Sequence, residues 1–342
     1  MHVSLDPSRR HLLMGSLLAG VGTGGGLLSL DATAAAPSRL RLQLGWLGGV
    51  NQAGEVVAQR MGFYEQEGLQ ITLQPGGPHV DGVAVVASGH TPLGQVSSSP
   101  ALMLAASQGL PVRCFAVGAQ RHPYTYFSLR RNPVRQPADL VGKRVGVQPP
   151  GLGLLRALLA RHGIDEKDVH VVPMGSDLVP LLTGQVDVVT GWLTSTRALK
   201  ILGRDRVEMR LWDAGVRLYA LPYYAHTHLL RTAPQQLAAF LRATARGWHF
   251  AKARPEHALD MLVESYPTLD RDDERMGLAT MLEYSFADAA ATEGWGTMSP
   301  AIWREQIALF TQLGLFTAPP PRLEDVITMD ILDATRTARS GA

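Results

Sequence analysis

The chain of 342 residues is 46% hydrophobic, enough to build one large or two medium cores. Its formal charge of +2 comes from scattered basic residues, which excludes nucleic acid and an anionic membrane surface as partners. A single cysteine, Cys114, excludes an internal disulfide and is expected as a small core residue.

Residues 1–36 read as an export signal. Arg9 and Arg10 precede an apolar, Gly-rich run ending near Leu30, and Ala34, Ala35 and Ala36 offer small residues to a signal peptidase. Paired arginines point to the twin-arginine route. Gly20, Gly22, Gly24, Gly25 and Gly26 make the run a poor spanning helix, and no cysteine at the cleavage site could carry a lipid. A monomer free in the periplasm is expected, with the signal cleaved near Ala36.

Leu40, Leu42 and Leu44 alternate with Arg41 and Gln43, which predicts a strand with one buried face. It runs into Gly45-Trp46-Leu47-Gly48-Gly49-Val50-Asn51-Gln52, where glycines forbid a regular element and leave an indole and two amides exposed. Val56, Val57, Met61 and Tyr64 then return at helical spacing. Residues 70–74 predict a second strand, stopped by Pro75-Gly76-Gly77-Pro78. A helix over 80–87 and a strand over 92–96 follow, and Ser97, Ser98 and Ser99 open a helix over 100–108.

A strand over 112–117 ends at a first crossing, and 126–129 carries the chain extended into a second lobe. There 143–147, 169–172 and 185–189 predict strands, separated by helices over 154–162 and 178–182. The loop Pro149-Pro150-Gly151-Leu152-Gly153 and the exit Thr190-Gly191-Trp192-Leu193-Thr194-Ser195-Thr196 face a ligand in the same way as the first loop. Strands over 210–212 and 216–221 bring the chain back, and Pro222-Tyr223-Tyr224 marks the return crossing. Helices are predicted over 234–253, 255–266, 273–284, 300–313 and 323–334. The pattern predicts two α/β lobes: 37–125 with 224–342, and 126–223.

Small ligands bind such sheets at the carboxyl ends of the strands. Trp46 could stack on a flat ring or plug the core beneath its loop, and Trp192 could supply the opposite face. Asn51 and Gln52 each offer a donor and an acceptor, and Ser97, Ser98 and Thr194 offer hydroxyls. Gly151 lets backbone approach a ligand, while Gln120, Tyr124 and Tyr223 sit at the crossings, where they touch ligand or pack the seam. Arg121 and His122 could balance an anion. His79 and Asp81 lack a third ligand for a metal, and no Ser-His-Asp order, Walker loop or dinucleotide fingerprint is present. No cofactor and no catalytic residue is assigned.

In the spacing of Trp46, Asn51, Gln52 and Gly54, and in the ordered segments that follow from residues 62–69 onward, the chain resembles the periplasmic solute-binding proteins of ABC importers, in the branch that binds thiamine-pyrimidine precursors, riboflavin, sulfonates and nitrate. Trp46, Asn51, Gln52 and Gly54 stand at the spacing of that branch's Trp-x-x-x-x-Asn-His/Gln-x-Gly signature. Residues 62–69, Pro75-Gly76-Gly77-Pro78, 139–146, Gly184-Gln185-Val186-Asp187, Arg246-Gly247-Trp248 and Trp295-Gly296-Thr297-Met298 match further segments in order.

The resemblance implies a type II, two-lobed Venus flytrap with C-terminal helices, a small flat heteroaromatic guest in the cleft, and delivery to an inner-membrane permease. The branch's acidic residue is absent from 191–196, so a pyrimidine loses an expected partner there. An alkyl sulfonate, nitrate or aromatic carboxylate stays open as ligand. The related enzymes of pyrimidine synthesis resemble this chain too, but their cysteine-rich motif is missing.

Overall fold

The computed structural model describes residues 36–340 apart from Pro78, so the predicted export signal lies outside the described residues except for Ala36. Among the described residues, ten strands form two five-stranded sheets. The first has the order β2-β1-β3-β10-β4, from Leu69–Gln74 (β2), Ser38–Gln43 (β1), Leu93–Gln95 (β3), Ala220–His226 (β10) and Val112–Ala119 (β4). The second has the order β7-β6-β8-β5-β9, from His170–Pro173 (β7), Arg144–Val147 (β6), Val188–Trp192 (β8), Tyr124–Leu129 (β5) and Arg206–Arg210 (β9).

Alternation places β1 as expected. Leu40 and Leu42 are buried, and β1 runs parallel to β2 with Leu40 opposite Ile71 and Leu42 opposite Leu73. Each sheet takes one antiparallel strand into its interior: β10 lies between β3 and β4, and β5 between β8 and β9. Two segments join the sheets, 120–123 and 211–219.

Several elements differ from expectation. Tyr124 and Thr125, assigned on sequence to the first lobe, belong to β5 of the second sheet. Pro222, Tyr223 and Tyr224 do not form the return crossing; they lie inside β10, paired with β3 and β4. That strand is buried from Ala220 to Ala225, so it has no alternation to read. Pro222 is accommodated close to the strand's start, after Leu221 at a φ of 53° and before a register shift at Tyr223.

The predicted strand over 185–189 is shifted to Val188–Trp192, which puts Trp192 on a strand and not in a loop. The predicted helix over 323–334 is two short helices, Leu323–Val326 and Asp330–Ala334. Between them Ile327 is extended and Thr328 N–H donates to Cys114 O, which ties the segment to β4. Cys114 itself is buried in the core.

The long helix Pro234–Ala253 packs directly on Ala53–Arg60 at two facing glycines. A Cβ on Gly247 would sit 2.0 Å from Gly54 O, and one on Gly54 would sit 2.1 Å from Trp248 Cδ1. Glycine here lets two helix backbones touch. Trp248 then stacks on Trp295 with ring centroids 5.8 Å apart. Gly247→Ala should lower the unfolding free energy by about 1–3 kcal/mol through overpacking. Urea denaturation reads this as a lower midpoint; an unchanged midpoint would contradict the contact.

Candidate functional site

Three loops of the first sheet meet at the carboxyl ends of β1, β2 and β3. A Cβ on Gly45 would lie 2.8 Å from Ser97 N, and one on Gly76 would lie 2.3 Å from Leu44 O. Gly76 N–H donates to Trp46 O at 3.0 Å. These approaches require glycine, and they leave Trp46 at the rim with 49% of its surface exposed. Asn51 follows on a short 3-10 turn, Val50–Gln52, and its Oδ1 is buried with no hydrogen-bond partner.

A relay of side chains holds that turn from below. Gly49 N–H donates to Gln52 Oε1 at 3.2 Å, Gln52 Nε2 donates to Gln95 Oε1 at 2.9 Å, and Gln95 Nε2 donates to Glu55 Oε1 at 2.7 Å. Tyr223 O–H donates to the same Glu55 oxygen at 2.5 Å. Gln52 and Tyr223, both candidates for ligand contact, are therefore engaged within the protein, and each is almost fully buried. Gln120 is engaged as well, donating through Nε2 to Thr297 O at 2.7 Å. Amides and phenols in a core must find partners, and these have found them in the fold.

Glu55 was not singled out from the sequence, where an acidic residue in a helix's first turn reads as solvated. It is fully buried, and that desolvation pushes its carboxyl up to about 7, outweighing the hydrogen bonds from Tyr223 and Gln95 that lower it.

In the second lobe, Tyr124 lies opposite Trp192 in the β5–β8 ladder. Ring centroids of His122 and Trp192 are 4.9 Å apart, edge to face, and those of His122 and Tyr124 are 6.2 Å apart. Gly151 closes on Tyr124: a Cβ there would sit 2.0 Å from the phenol oxygen. His122 Nε2 is buried without a partner, and so is the Tyr124 O–H apart from the Thr190 hydroxyl close to it. Ser98 Oγ, at the helix start after β3, is in the same condition, whereas neighbouring Ser99 is engaged with Gln306.

The two halves converge on the helix Arg271–Ser285. A Cβ on its Gly277 would lie 3.0 Å from Thr194 O and 3.3 Å from Val50 Cγ2, so Thr194 and the Asn51 turn flank one residue. Thr196 Oγ1 donates to Asp273 O, and Lys200 pairs with Asp273. Glu274 of this helix stands beside Gly49, its carboxyl raised by burial; nothing in the sequence pointed to it. Arg121 does not face the site as a free cation: Asp288 takes both its Nε and Nη2 at 2.9 and 3.0 Å.

Asp81 accepts from Ala84 N–H as a helix cap, and no cluster of three or more metal-ligating side chains occurs among the described residues. Two surface hollows of about 480 and 580 Å³ lie elsewhere, one against Arg130 and Ile201, the other against Arg113 and Asp330.

Because folding raises the Glu55 pKa, the folded state binds this proton more tightly than the unfolded chain. Its contribution is complete at low pH and is lost as pH rises from about 4.5 to about 7, by about 3 kcal/mol at 1.4 kcal/mol per pKa unit. Glu55→Gln keeps an acceptor for Gln95 and Tyr223 and removes that slope. Urea unfolding of both proteins at pH 5 and pH 8 should show the wild type alone losing this stability; parallel losses would contradict the assignment.

Comparison with known proteins fits this geometry. The model of the family described as NMT1/THI5 like matches residues 50–258. A formylaminopyrimidine-binding protein of Halalkalibacterium halodurans is 30% identical over 239 residues, 66% of this chain and 72% of that one. A 4-amino-5-hydroxymethyl-2-methylpyrimidine phosphate synthase of Legionella pneumophila is 26% identical over 239 residues, 68% of this chain and 75% of that one. The crystal structure of the periplasmic aliphatic sulphonate binding protein SsuA from Escherichia coli superposes with a TM-score of 0.68 at 15% identity, covering 86% of this chain and 92% of that chain. That likeness is one of fold, and the two sheets, each with an inserted antiparallel strand, are its α/β architecture. On the family match and the pyrimidine-binding relative together, the chain belongs to the NMT1/THI5-like family and has the two-lobed periplasmic binding protein fold.

Proposed function

We propose that this protein is the substrate-binding component of an ABC importer, that it captures a small flat heteroaromatic nutrient between its lobes, and that the nutrient is a pyrimidine of the thiamine-precursor kind. The observation that carries this reading is the set of buried polar atoms without protein partners at the strand ends: Asn51 Oδ1, Ser98 Oγ, His122 Nε2 and Tyr124 O–H. Such groups are costly to leave unmet, and a ring with nitrogen donors and acceptors meets them. Trp46 and Trp192 supply flat faces, and the 30% identical relative is named for binding formylaminopyrimidine.

Scavenging receptors work at dissociation constants of about 10 nM to 1 μM, or about −8 to −11 kcal/mol. One aromatic stack gives about 0.5–1.5 kcal/mol and each hydrogen bond a similar net amount, so burial between both lobes must supply the rest. Closure would bend the segments 120–123 and 211–219 and present a surface to a permease. The paired Arg9 and Arg10 support export to the periplasm by the twin-arginine route.

A second reading, catalysis, is favoured by the relative named as a pyrimidine phosphate synthase. Against it stands a lone cysteine, Cys114, buried in the core with its thiol pushed up well above its ordinary value. Turnover of a candidate compound by the purified protein would establish that reading.

Titration calorimetry with 4-amino-5-hydroxymethyl-2-methylpyrimidine tests the proposal. Binding is expected, and Trp46→Ala should weaken it about tenfold, equivalent to about 1.4 kcal/mol. Unchanged affinity in the variant would remove Trp46 from the site.

A further inference from the structure

We infer that His122 and Tyr124 form an uncharged donor pair that reads an acceptor atom on the ligand's ring, so that the pocket takes the uncharged heterocycle and rejects its phosphate ester and alkyl sulfonates. This deepens the proposed function and rests on it.

The hydrogen bonding of His122 fixes its tautomer. Its Nδ1 accepts from Tyr124 N–H at 3.1 Å, so Nδ1 carries no proton in the neutral ring and Nε2 carries one. The Nε2–H is thus a donor, and it has no acceptor within the protein although the residue is 98% buried. Backbone geometry at a crossing segment sets this arrangement, since donor and acceptor are only two residues apart. Desolvation drives the imidazole down to about 3, and burial pushes the Tyr124 phenol up to about 12. Both groups therefore stay neutral and protonated at physiological pH.

Charge around the pair favours the same class of guest. Arg121, the adjacent guanidinium, has both arms on Asp288. The Glu274 carboxyl stands beside the Asn51 turn. A phosphate or sulfonate placed against His122 would give up its hydration for neutral donors, with the adjacent Arg121 already paired with Asp288, a poor exchange for a full charge. A ring nitrogen or carbonyl needs one donor, and it finds one. Asn51 Oδ1, a pure acceptor, is left for a ring amine.

The test uses the full chain, with 4-amino-5-hydroxymethyl-2-methylpyrimidine, its phosphate ester and an alkyl sulfonate titrated by calorimetry. In parallel, imidazole ¹⁵N spectra are recorded, with the His122 signals assigned by their loss in His122→Gln. The pyrimidine should bind at least about 100-fold tighter than either anion, and the His122 signals should report an Nε2–H tautomer that shifts on its addition. His122→Phe should weaken the pyrimidine by about tenfold or more, and His122→Gln, which keeps a donor, by less.

Equal or tighter binding of the phosphate ester or the sulfonate overturns the inference. So does pyrimidine binding that leaves the His122 signals unmoved, which would keep the binding function and remove this residue from it. Failure of the pyrimidine and both anions to bind overturns the proposed function and this inference with it. The ranking of the pyrimidine against the two anions needs only the wild-type protein, so a variant that fails to fold does not decide the result.

Discussion

A polar atom buried without a partner costs about 1–3 kcal/mol, and this fold concentrates four of them where its strands end. Against a net stability of about 5–15 kcal/mol for a typical native protein, that is a heavy demand. The surrounding amides and hydroxyls sharpen the contrast. Gln52, Gln95, Tyr223, Ser99 and Gln120 lie among the same loops and are bonded inside the protein, and Glu55 is bonded through Oε1 while its Oε2 has no partner. The polar groups thus fall into two sets, those bonded within the protein and those without a partner.

That division depends on rigidity in the first lobe. The Gln52–Gln95–Glu55 relay ties the Asn51 turn to β3 and β10, and the Gly54–Gly247 contact fixes the helix that carries Glu55. The second lobe brings Tyr124 and Trp192 on adjacent strands, whose orientation the ladder sets. Between them, Thr196 donates to Asp273 O and Lys200 pairs with Asp273, while Leu309 and Leu313 pack against the second lobe's apolar core.

Some of this was legible in the amino acids. Strict alternation in β1, the helical spacing of Leu237, Phe240, Leu241 and Trp248, and the Gly-rich run after β1 each have one structural solution. β10 was not legible, because a strand buried on both faces has no period to distinguish it from a buried crossing. The roles of Gln52 and Tyr223 were hidden for another reason: their partners lie 43 and 168 residues away, and local sequence carries no trace of such pairings. His122 and Glu274 take their environment from the crossing segment and from a helix more than 200 residues downstream of the loop it faces. An acid or a histidine at such a position reads as solvated until the fold encloses it.

The central question is which group meets those four atoms. A crystal structure of the full chain grown with 4-amino-5-hydroxymethyl-2-methylpyrimidine addresses it directly. The prediction is a flat ring between the lobes, with polar atoms within about 3.2 Å of Asn51 Oδ1 and His122 Nε2. Finding both atoms bonded to water or to the protein's own groups, with the pyrimidine elsewhere or absent, would contradict it.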